Sequence, residues 1–194
     1  SFYMQAKTAK ALLRGNVMFN GPRAGINLND GFGGGDEVTE NLVFNTCRES
    51  GDHGPLNSWD RQPFVTSVLS GKPSLLMAWR HIHHNFFVAN YEAGWAVDND
   101  DGSAYYYTHH NFMVYSGNGM KNDFGGHSNH HHNNVYAFTQ SGFGICSQQP
   151  GHNDFFHNNY VVMLTNQAYG QWDCKLNPQT MIKLHDNQIF TPAG

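Results

Sequence analysis

Histidines recur in this chain at intervals that would bring them together if its segments stacked. Five of them stand two positions before an asparagine in successive repeats: His83, His109, His132, His157 and His185. Because stacked strands lie about 4.8 Å apart, these imidazoles would form a ladder. Such a ladder could be a packed, hydrogen-bonded column, could stack against sugar rings, or could bind a transition metal. For the metal hypothesis, the candidate ligands are His83, His109, His132 and His157.

Acidic residues form a second row, in short stretches of Asn or Asp followed by Gly. The candidate residues for substrate binding in this row are Asp30, Asp98, Asp100, Asp101 and Asp123. Two carboxyl groups about 5 to 9 Å apart suit general acid/base hydrolysis of a glycosidic bond. Carboxylate oxygens also suit a divalent cation such as calcium. The alternative is that these residues only shape turns, in which Asp-Gly and Asn-Asp pairs are common.

The segment at 47–64 is rich in ionisable side chains, although charged residues make up only 13% of the whole chain. Asp52 and His53 could supply an acid and a base. Trp59 offers a flat ring on which a sugar can stack, and Arg61 could hold a uronate carboxylate through two hydrogen bonds. The catalytic candidates are therefore Asp52, His53, Asp60 and Arg61, with Trp59 as a substrate-binding residue. The alternative is a loop held in place by Asp–Arg ion pairs and a packed tryptophan.

Seven short segments resemble one another and set the organisation of the chain. Each is an Asn followed by an apolar, β-type stretch, and these asparagines are Asn16, Asn41, Asn85, Asn111, Asn134, Asn159 and Asn187. Successive steps between them are 25, 44, 26, 23, 25 and 28 residues. A period of about 25 residues with one β-type segment per unit, and no helical periodicity, predicts a β-solenoid. Because Asn tolerates the left-handed backbone region at tight corners, the stacked amides should form a hydrogen-bonded ladder.

The 44-residue step is too long for one coil and slightly short for two. Either residues 64–79 form an irregular extra coil, or one coil carries a loop of about 20 residues. Loops of solenoids gather on the face that binds a ligand. The insertion at 45–80 is therefore the first place to look for function.

Strand alternation predicts which apolar residues face the core. We expect the residues one and three positions after each Asn to point inward, as in Val17 and Phe19. The residues between them would then point outward: Met18, Val43, Phe87, Met113, Tyr136, Val161 and Ile189. So long an apolar stripe is rarely left in water, and we expect a cover. The cover would be residues 2–13, another subunit, or a larger parent protein.

The repeats resemble those of the right-handed parallel β-helix, or pectin-lyase-like, superfamily. The resemblance rests on the segments 41–45 (NLVFN) and 111–115 (NFMVY), within strand–turn–strand units, and spans about Leu12 to Phe190. It implies extracellular carbohydrate chemistry, since the superfamily contains polysaccharide lyases, glycoside hydrolases and uronan epimerases, besides non-enzymatic adhesins and fibres. Its lyases use a Lys or Arg base and acidic cation ligands on a surface groove. No motif of a single enzyme family is matched here residue by residue.

Charge and cysteine content narrow the possible settings. The net charge of −4, without basic clusters, argues against nucleic-acid binding, and no apolar run approaches the length of a membrane span. Of the three cysteines, Cys146 and Cys174 lie at similar places in adjacent repeats and could pair, whereas Cys47 is expected to be a buried free thiol. The resemblance favours secretion.

We therefore predict an all-β fold: a right-handed parallel β-helix, or β-solenoid, of about 7–8 coils of roughly 25 residues. It would form a single domain over residues 1–194, and weak end caps suggest a fragment or mature portion of a longer β-helix protein. Two functions remain open. The first is an extracellular module that binds a polysaccharide and, if it is an enzyme, cleaves or epimerises it. The second is a non-catalytic solenoid that assembles into a fibre or a larger extracellular protein.

Overall fold

The chain is wound into a parallel β-solenoid built from three sheets. The computed structural model describes residues 2–4, 9–29, 34–60, 78–88, 93–146, 151–172 and 182–194. Within these ranges there are three sheets of seven strands each, and the chain passes from sheet 1 to sheet 2 to sheet 3 in every rung. Each strand pairs in parallel with strands of the adjacent rungs, which confirms the predicted solenoid. The described strands and turns include no helical segment that could span a lipid bilayer.

The strands of each sheet have the following bounds. Sheet 1 contains β1 (Phe2–Met4), β4 (Ile26–Asn29), β7 (Leu56–Trp59), β10 (Trp95–Asp100), β13 (Asn118–Asn122), β16 (Ser141–Ile145) and β19 (Gly170–Trp172). Sheet 2 contains β2 (Leu12–Arg14), β5 (Glu37–Thr39), β8 (Arg80–His83), β11 (Tyr106–His109), β14 (His130–His132), β17 (Asp154–His157) and β20 (Ile182–His185). Sheet 3 contains β3 (Val17–Phe19), β6 (Leu42–Phe44), β9 (Phe86–Val88), β12 (Phe112–Val114), β15 (Val135–Thr139), β18 (Tyr160–Met163) and β21 (Gln188–Phe190).

The corner between sheets 2 and 3 has the same two-residue form in each of the seven rungs described. Its first residue has a φ between 53° and 69°, and these residues are Gly15, Glu40, His84, His110, Asn133, Asn158 and Asp186. Its second residue is the repeat Asn. One left-handed residue reverses the local turn of the backbone, so the next strand can start at once and the Asn side chain points into the solenoid.

The repeat asparagines form the predicted ladder. From Asn16 to Asn159, the backbone N–H and the Nδ2 amide of each Asn donate to Oδ1 of the Asn in the next rung, at 2.9 to 3.2 Å. Nδ2 also donates to a carbonyl of the preceding rung, as Asn111 does to Ile82 at 2.8 Å. The column therefore satisfies backbone groups that the tight corner leaves without strand partners.

The side chains of sheet 3 point opposite to our prediction. The residues two positions after each Asn point inward: Val43, Phe87, Met113, Tyr136 and Val161 are fully buried, and Met18 and Ile189 pack against the core. Most residues one and three positions after it point outward, and Val17, Phe19, Phe86, Phe112, Tyr160 and Phe190 are 42–61% exposed, whereas Val114 and Ala137 are buried. The reason is that the Asn itself occupies an inward position, so strand alternation places the following residue outside. The outer surface of sheet 3 is nevertheless apolar, with a different set of residues.

Apolar side chains from all three sheets fill the solenoid. Sheet 1 contributes residues such as Leu56, Val97 and Phe143, sheet 2 contributes Ile82 and Phe156, and sheet 3 contributes Phe87 and Val161. Because each rung buries one set of side chains against the next, the core is continuous along the stack.

The 44-residue step contains one rung with two long connections. β5 pairs directly with β8, and β6 pairs directly with β9, so no complete rung lies between them. β7 lies between β4 and β10 in sheet 1. The extra length is therefore in residues 45–55, before β7, and in residues 60–79, after β7, of which 61–77 lie outside the described residues.

The described cysteines have different states. Cys47 is a buried free thiol, as predicted, and burial raises its pKa to about 11. Cys146 is disulfide-bonded. Cys174, the partner suggested by the sequence, lies outside the described residues.

Candidate functional site

Three carboxyl groups surround one ammonium group on the outer face of sheet 1. β10 and β13 pair so that Asp98 lies opposite Lys121, and both alternate with core residues of their strands. Lys121 Nζ lies 3.1 Å from Asp98 Oδ1, 3.2 Å from Asp100 Oδ1 and 3.1 Å from Asp123 Oδ2. We name these four residues the Lys121 cluster. It contains three of the five acidic residues that the sequence indicated for substrate binding.

His53 lies against the Lys121 cluster near the end of the connection at 45–55, where its carbonyl accepts a hydrogen bond from Gly94 N–H of the next rung at 3.2 Å. Its side chain is buried, and its Nδ1 lies 3.3 Å from Asp98 Oδ2. Gly54 permits this close approach, since a Cβ there would collide with a backbone carbonyl of β10. Asp52 remains largely exposed, with Oδ2 3.7 Å from His53 Nε2. The structure thus brings the charged segment and the acidic row together.

Asp100 and Asp123 both contact the Lys121 ammonium group, and their pKa values move in opposite directions. Burial raises the pKa of the Asp123 carboxyl to about 8, and the charge of Asp100 adds to this effect. Burial also acts to raise the pKa of Asp100, but the Lys121 ammonium and the hydrogen bond from Asp123 outweigh it, so this pKa is lowered. The lowered pKa keeps Asp100 an anion at neutral pH, whereas Asp123 keeps its proton to a higher pH than an ordinary carboxyl group does. Such a pair has the protonation states of an acid and a base held side by side.

Lys121 supplies the positive charge at the centre of the cluster. Burial alone would lower its pKa, but Asp98, Asp123 and Asp100 together raise the pKa well above its ordinary value. Lys121 therefore keeps its proton and is unsuited to act as a base. In the described part of the chain, His53, Asp98 and Asp100 also bring potential metal ligands within 4.8 Å of one another. A divalent cation bound there would have to displace the ammonium group that already contacts both carboxylates.

Trp59 borders the Lys121 cluster on the neighbouring rung. It lies opposite Asp100 in the pairing of β7 with β10, and its ring centroid is 6.5 Å from that of His53. The Arg23 guanidinium lies 5.8 Å from the Trp59 ring centroid on the same outer surface. The side chains of Lys121 and Asp100 are 16% and 17% exposed, so a ligand in solution can reach them. The surface therefore offers a partly exposed aromatic ring beside an acid/base pair.

The remaining predicted residues lie elsewhere. Asp60 points into the corner between sheets 1 and 2, where its Oδ2 lies 3.0 Å from Arg80 Nη1. Arg80 Nε also lies 3.4 Å from Asp36 Oδ2, and all three residues are buried, which suits an ion group that stabilises the corner. Asp101 follows β10 in a turn, and its carbonyl accepts a hydrogen bond from the Asp60 N–H at 3.0 Å. Asp30 and Arg61 lie outside the described residues.

The histidine ladder is present on the outer face of sheet 2. Its five rings stack with centroids 4.6–5.1 Å apart and interplanar angles of 5–10°: His83, His109, His132, His157 and His185. Burial and the neighbouring imidazoles lower the pKa of His109 to about 3 and that of His132 to about 4, so these rings are neutral at neutral pH. Because parallel rings present their nitrogens along the column and not toward one point, metal binding by the ladder as a whole stays a prediction.

Sequence reasoning did not identify Lys121, although it is the centre of the cluster. Asp98 comes 13 residues after Asn85, whereas Lys121 comes only 10 residues after Asn111. The two positions differ in their distance from the repeat Asn because the connections differ in length: residues 89–94 connect β9 to β10, whereas residues 115–117 connect β12 to β13. The available signal was a lysine at an outward position of a strand in a chain with few charged residues.

No protein-family model, curated protein sequence or solved structure gives a significant match to this chain. The superfamily resemblance is therefore a resemblance of architecture, which the stacked parallel sheets share.

Proposed function

We propose that this protein binds a neutral polysaccharide across the outer face of sheet 1 and hydrolyses it at the Lys121 cluster. The observation that carries the proposal is that Asp100 and Asp123 contact the same ammonium group, at 3.2 and 3.1 Å from Lys121 Nζ, while the pKa of Asp100 is lowered and that of Asp123 is raised. Glycoside hydrolases divide the roles of acid and base between two carboxyl groups about 5 to 9 Å apart, so the sugar and the attacking water have to enter between Asp100 and Asp123. The superfamily resemblance supports the same substrate class by analogy.

Each residue of the cluster has a role in this reaction. Asp123 gives its proton to the glycosidic oxygen of a sugar chain bound between the two carboxyl groups. Asp100 takes a proton from a water molecule, whose oxygen bonds to the anomeric carbon while the bond to the leaving oxygen breaks. Lys121 stabilises the Asp100 anion, and the buried Asp98 positions Lys121 and His53 through contacts of 3.1 and 3.3 Å. One water molecule is consumed, and two shorter saccharides are released.

Two features favour hydrolysis of a neutral chain over elimination or epimerisation of a uronan. The latter reactions need a base that removes a proton from the sugar ring, and the raised pKa of Lys121 keeps that residue protonated. They also need excess positive charge to hold the uronate carboxylate. Here three carboxyl groups surround the ammonium group of Lys121. The cluster therefore has no cation to spare for an anionic sugar.

The proposal is tested by measuring new reducing ends from neutral polysaccharides such as β-glucan, xylan, mannan and galactan, with pectate and alginate as uronans. We expect product from at least one neutral chain, and a loss of about 10²–10⁴-fold in Asp100→Asn and in Asp123→Asn. Asp186→Asn is the matched control, because Asp186 is an exposed carboxylate at the corner of sheets 2 and 3. Trp59→Ala should weaken glycan retention with little change in stability. Absence of product from every neutral chain, or full activity in both cluster variants, would overturn the proposal.

Assembly is a second candidate function, and the outer surface of sheet 3 favours it. Two outward rows of mainly apolar residues run along this sheet, and Phe19, Phe86, Phe112 and Phe190 are 42–55% exposed. Exposed apolar side chains repeated over several rungs are typical of a surface that is covered in the functional state. Sedimentation velocity of the wild type and of a Phe86→Ser, Phe112→Ser variant tests this. Dimers or filaments that the variant converts to monomers would support assembly, and a wild type that is monomeric at all concentrations would count against it.

A further inference from the structure

Two pairs of consecutive histidines bring their ring nitrogens together on the solenoid surface. His83 Nδ1 lies 2.7 Å from His84 Nδ1, and one rung further His109 Nδ1 lies 2.9 Å from His110 Nδ1. The rings within each pair are nearly perpendicular, at 86° and 88°. Each pair therefore points two nitrogens at one small region of space, which the stacked ladder does not.

The corner geometry explains why these nitrogens meet. His83 and His109 are the last residues of β8 and β11 and point outward, whereas His84 and His110 are the left-handed corner residues, each with a φ of 54°. The left-handed conformation turns the second side chain back toward the first instead of to the opposite side of a strand. In the next two rungs the corner residue is Asn133 or Asn158, with almost the same φ, so those rungs have the corner but lack the second imidazole.

The spacing of the nitrogens fits a metal ion with ligands at right angles. Metal–nitrogen bonds to imidazole are about 2.0–2.1 Å long, so two ligands at 90° lie about 2.9 Å apart and two tetrahedral ligands about 3.3 Å apart. The metal-free distances of 2.7 and 2.9 Å are those of a hydrogen bond, and they need little change to reach the spacing of the right-angled case. Square-planar or octahedral nitrogen sites of this kind are preferred by Cu(II) and Ni(II) over Zn(II).

We propose that the His83–His84 and His109–His110 pairs each chelate a Cu(II) or Ni(II) ion through their Nδ1 atoms. One ion cannot join both pairs, because the stacked rings are 5.0 and 5.4 Å apart along the solenoid. Two divalent ions at this separation repel each other, so the second ion binds more weakly than the first. This site is independent of the Lys121 cluster, which lies on sheet 1.

The His83–His84 pair is the better prepared of the two. His83 Nε2 lies 3.0 Å from Glu37 Oε1, so the Nε2–H donates to this carboxylate and Nδ1 carries no proton of its own. A carboxylate behind a ligating histidine fixes its tautomer and orientation in metal sites. Without metal, the proton between the two Nδ1 atoms then belongs to His84. On metal binding this proton moves to His84 Nε2 at the exposed surface.

The surroundings leave room for further ligands on the ion. His84 and His110 are exposed, and they line an open groove of about 720 Å³ together with Phe86 and Phe112. Thr39 Oγ1 lies 3.2 Å from His83 Nδ1. Among the contacts described, its hydroxyl is the side-chain oxygen nearest to this ligand atom of the proposed ion. The remaining coordination positions therefore face water, which suits a metal bound at the surface by two protein nitrogens.

Titration of the full chain with CuCl₂ tests the proposal. Calorimetry measures the affinity for Cu(II), and the nitrogen hyperfine splitting in electron paramagnetic resonance reports the nitrogens bound to the ion. The test variant is His84→Asn with His110→Asn, which introduces the residue that the chain already has at this corner in later rungs. The control is His81→Asn with His152→Asn, which also removes two exposed imidazoles but neither pair. We expect the test variant to bind Cu(II) at least about tenfold more weakly, and the control to bind as the wild type does. Glu37→Gln should weaken the first site about 10–100-fold.

The copper titration has outcomes that overturn the proposal and one that supports it. Equal affinity and an equal hyperfine pattern in the wild type and the test variant would overturn the proposal, because binding would then not depend on the pairs. Equal losses in the test and control variants would also overturn it, since any surface imidazole would then serve. Zn(II) binding more tightly than Ni(II) would contradict the right-angled geometry. A loss confined to the test variant and to Glu37→Gln would support the assigned pairs.

Discussion

Replacing Asn111 with Ala tests the hydrogen-bonded ladder at its centre. Asn111 Oδ1 accepts from Asn85 N at 2.9 Å and from Asn85 Nδ2 at 3.0 Å. Its Nδ2 donates to Ile82 O at 2.8 Å, to His109 O at 3.1 Å and to Asn134 Oδ1 at 3.0 Å. The substitution removes all five of these contacts at a buried position.

The expected magnitude follows from which groups keep another partner. Asn85 Nδ2 still donates to the carbonyls of Val38 and His83, and Asn134 Oδ1 still accepts from the backbone of residue 111. The Asn85 N–H and the Ile82 carbonyl lose the partners that Asn111 supplied. An unsatisfied buried donor or acceptor costs about 1–3 kcal/mol, and water can enter part of the space that the side chain leaves. We therefore expect the free energy of unfolding to fall by about 2–4 kcal/mol.

Urea denaturation followed by circular dichroism measures this loss, and hydrogen exchange of the Asn85 amide reports the local effect. Asn16→Ala is the matched control, because no residue of an earlier rung donates to Asn16 Oδ1 in the described part of the chain. Its loss should be below about 1 kcal/mol. If Asn111→Ala lost no more stability than Asn16→Ala, or if the Asn85 amide exchanged at an unchanged rate, the account of the ladder would be wrong.

Three further predictions concern charge, packing direction and pH. Lys121→Met should lower the free energy of unfolding by about 3 kcal/mol, because the substitution leaves the buried carboxyls without a cation. Lys121→Arg keeps a cation and should lose much less stability. Equal losses in the two variants would contradict this. Phe87→Ala should cost about 3–5 kcal/mol in urea denaturation, whereas Phe86→Ala, at an outward position, should cost less than about 1 kcal/mol; the reverse order would mean that the side-chain directions are wrong. The pKa of Asp123 is raised to about 8 in the folded state, so the folded protein holds a proton that the unfolded chain loses above about pH 4. Relative to Asp123→Asn, wild-type stability should therefore fall as the pH rises from about 5 to about 8 and change no further above it; a difference that is flat with pH would show that Asp123 does not hold this proton.

The repeat asparagines allowed the architecture to be predicted because each rung must turn the same corner. Asn111 and its equivalents stand at the corner between sheets 2 and 3, which has the same two-residue form in all seven described rungs, so their spacing follows the coil. The histidine ladder could be predicted for the same reason, since His109 is fixed two residues before that corner. The predicted side-chain directions of Phe86 and Phe87 were wrong. Both faces of this strand are apolar in the sequence, so the pattern does not show that the Asn side chain occupies an inward position.

The candidate site was harder to predict because its residues come from connections of unequal length. His53 belongs to the long connection at 45–55 and contacts Asp98, which lies 45 positions further along the sequence. Lys121 aligns with Asp98 only when the register of β10 and β13 is known. Asp60 was misplaced for a related reason: it follows Trp59 directly, but alternation sends its side chain into the buried corner with Arg80. Spacing along the sequence identified the segments, and only the pairing between rungs brought their side chains together.

Mass spectrometry of the saccharides released from a neutral polysaccharide tests the central claim most directly. Hydrolysis at Asp100 and Asp123 consumes one water molecule per bond, so all products should be saturated saccharides, and they should be absent with Asp123→Asn. Unsaturated products from pectate or alginate, one water molecule lighter than the hydrolysis products, would show elimination and contradict the roles assigned to the two carboxyl groups. Saturated products released equally by the wild type and by Asp123→Asn would place the chemistry outside the Lys121 cluster.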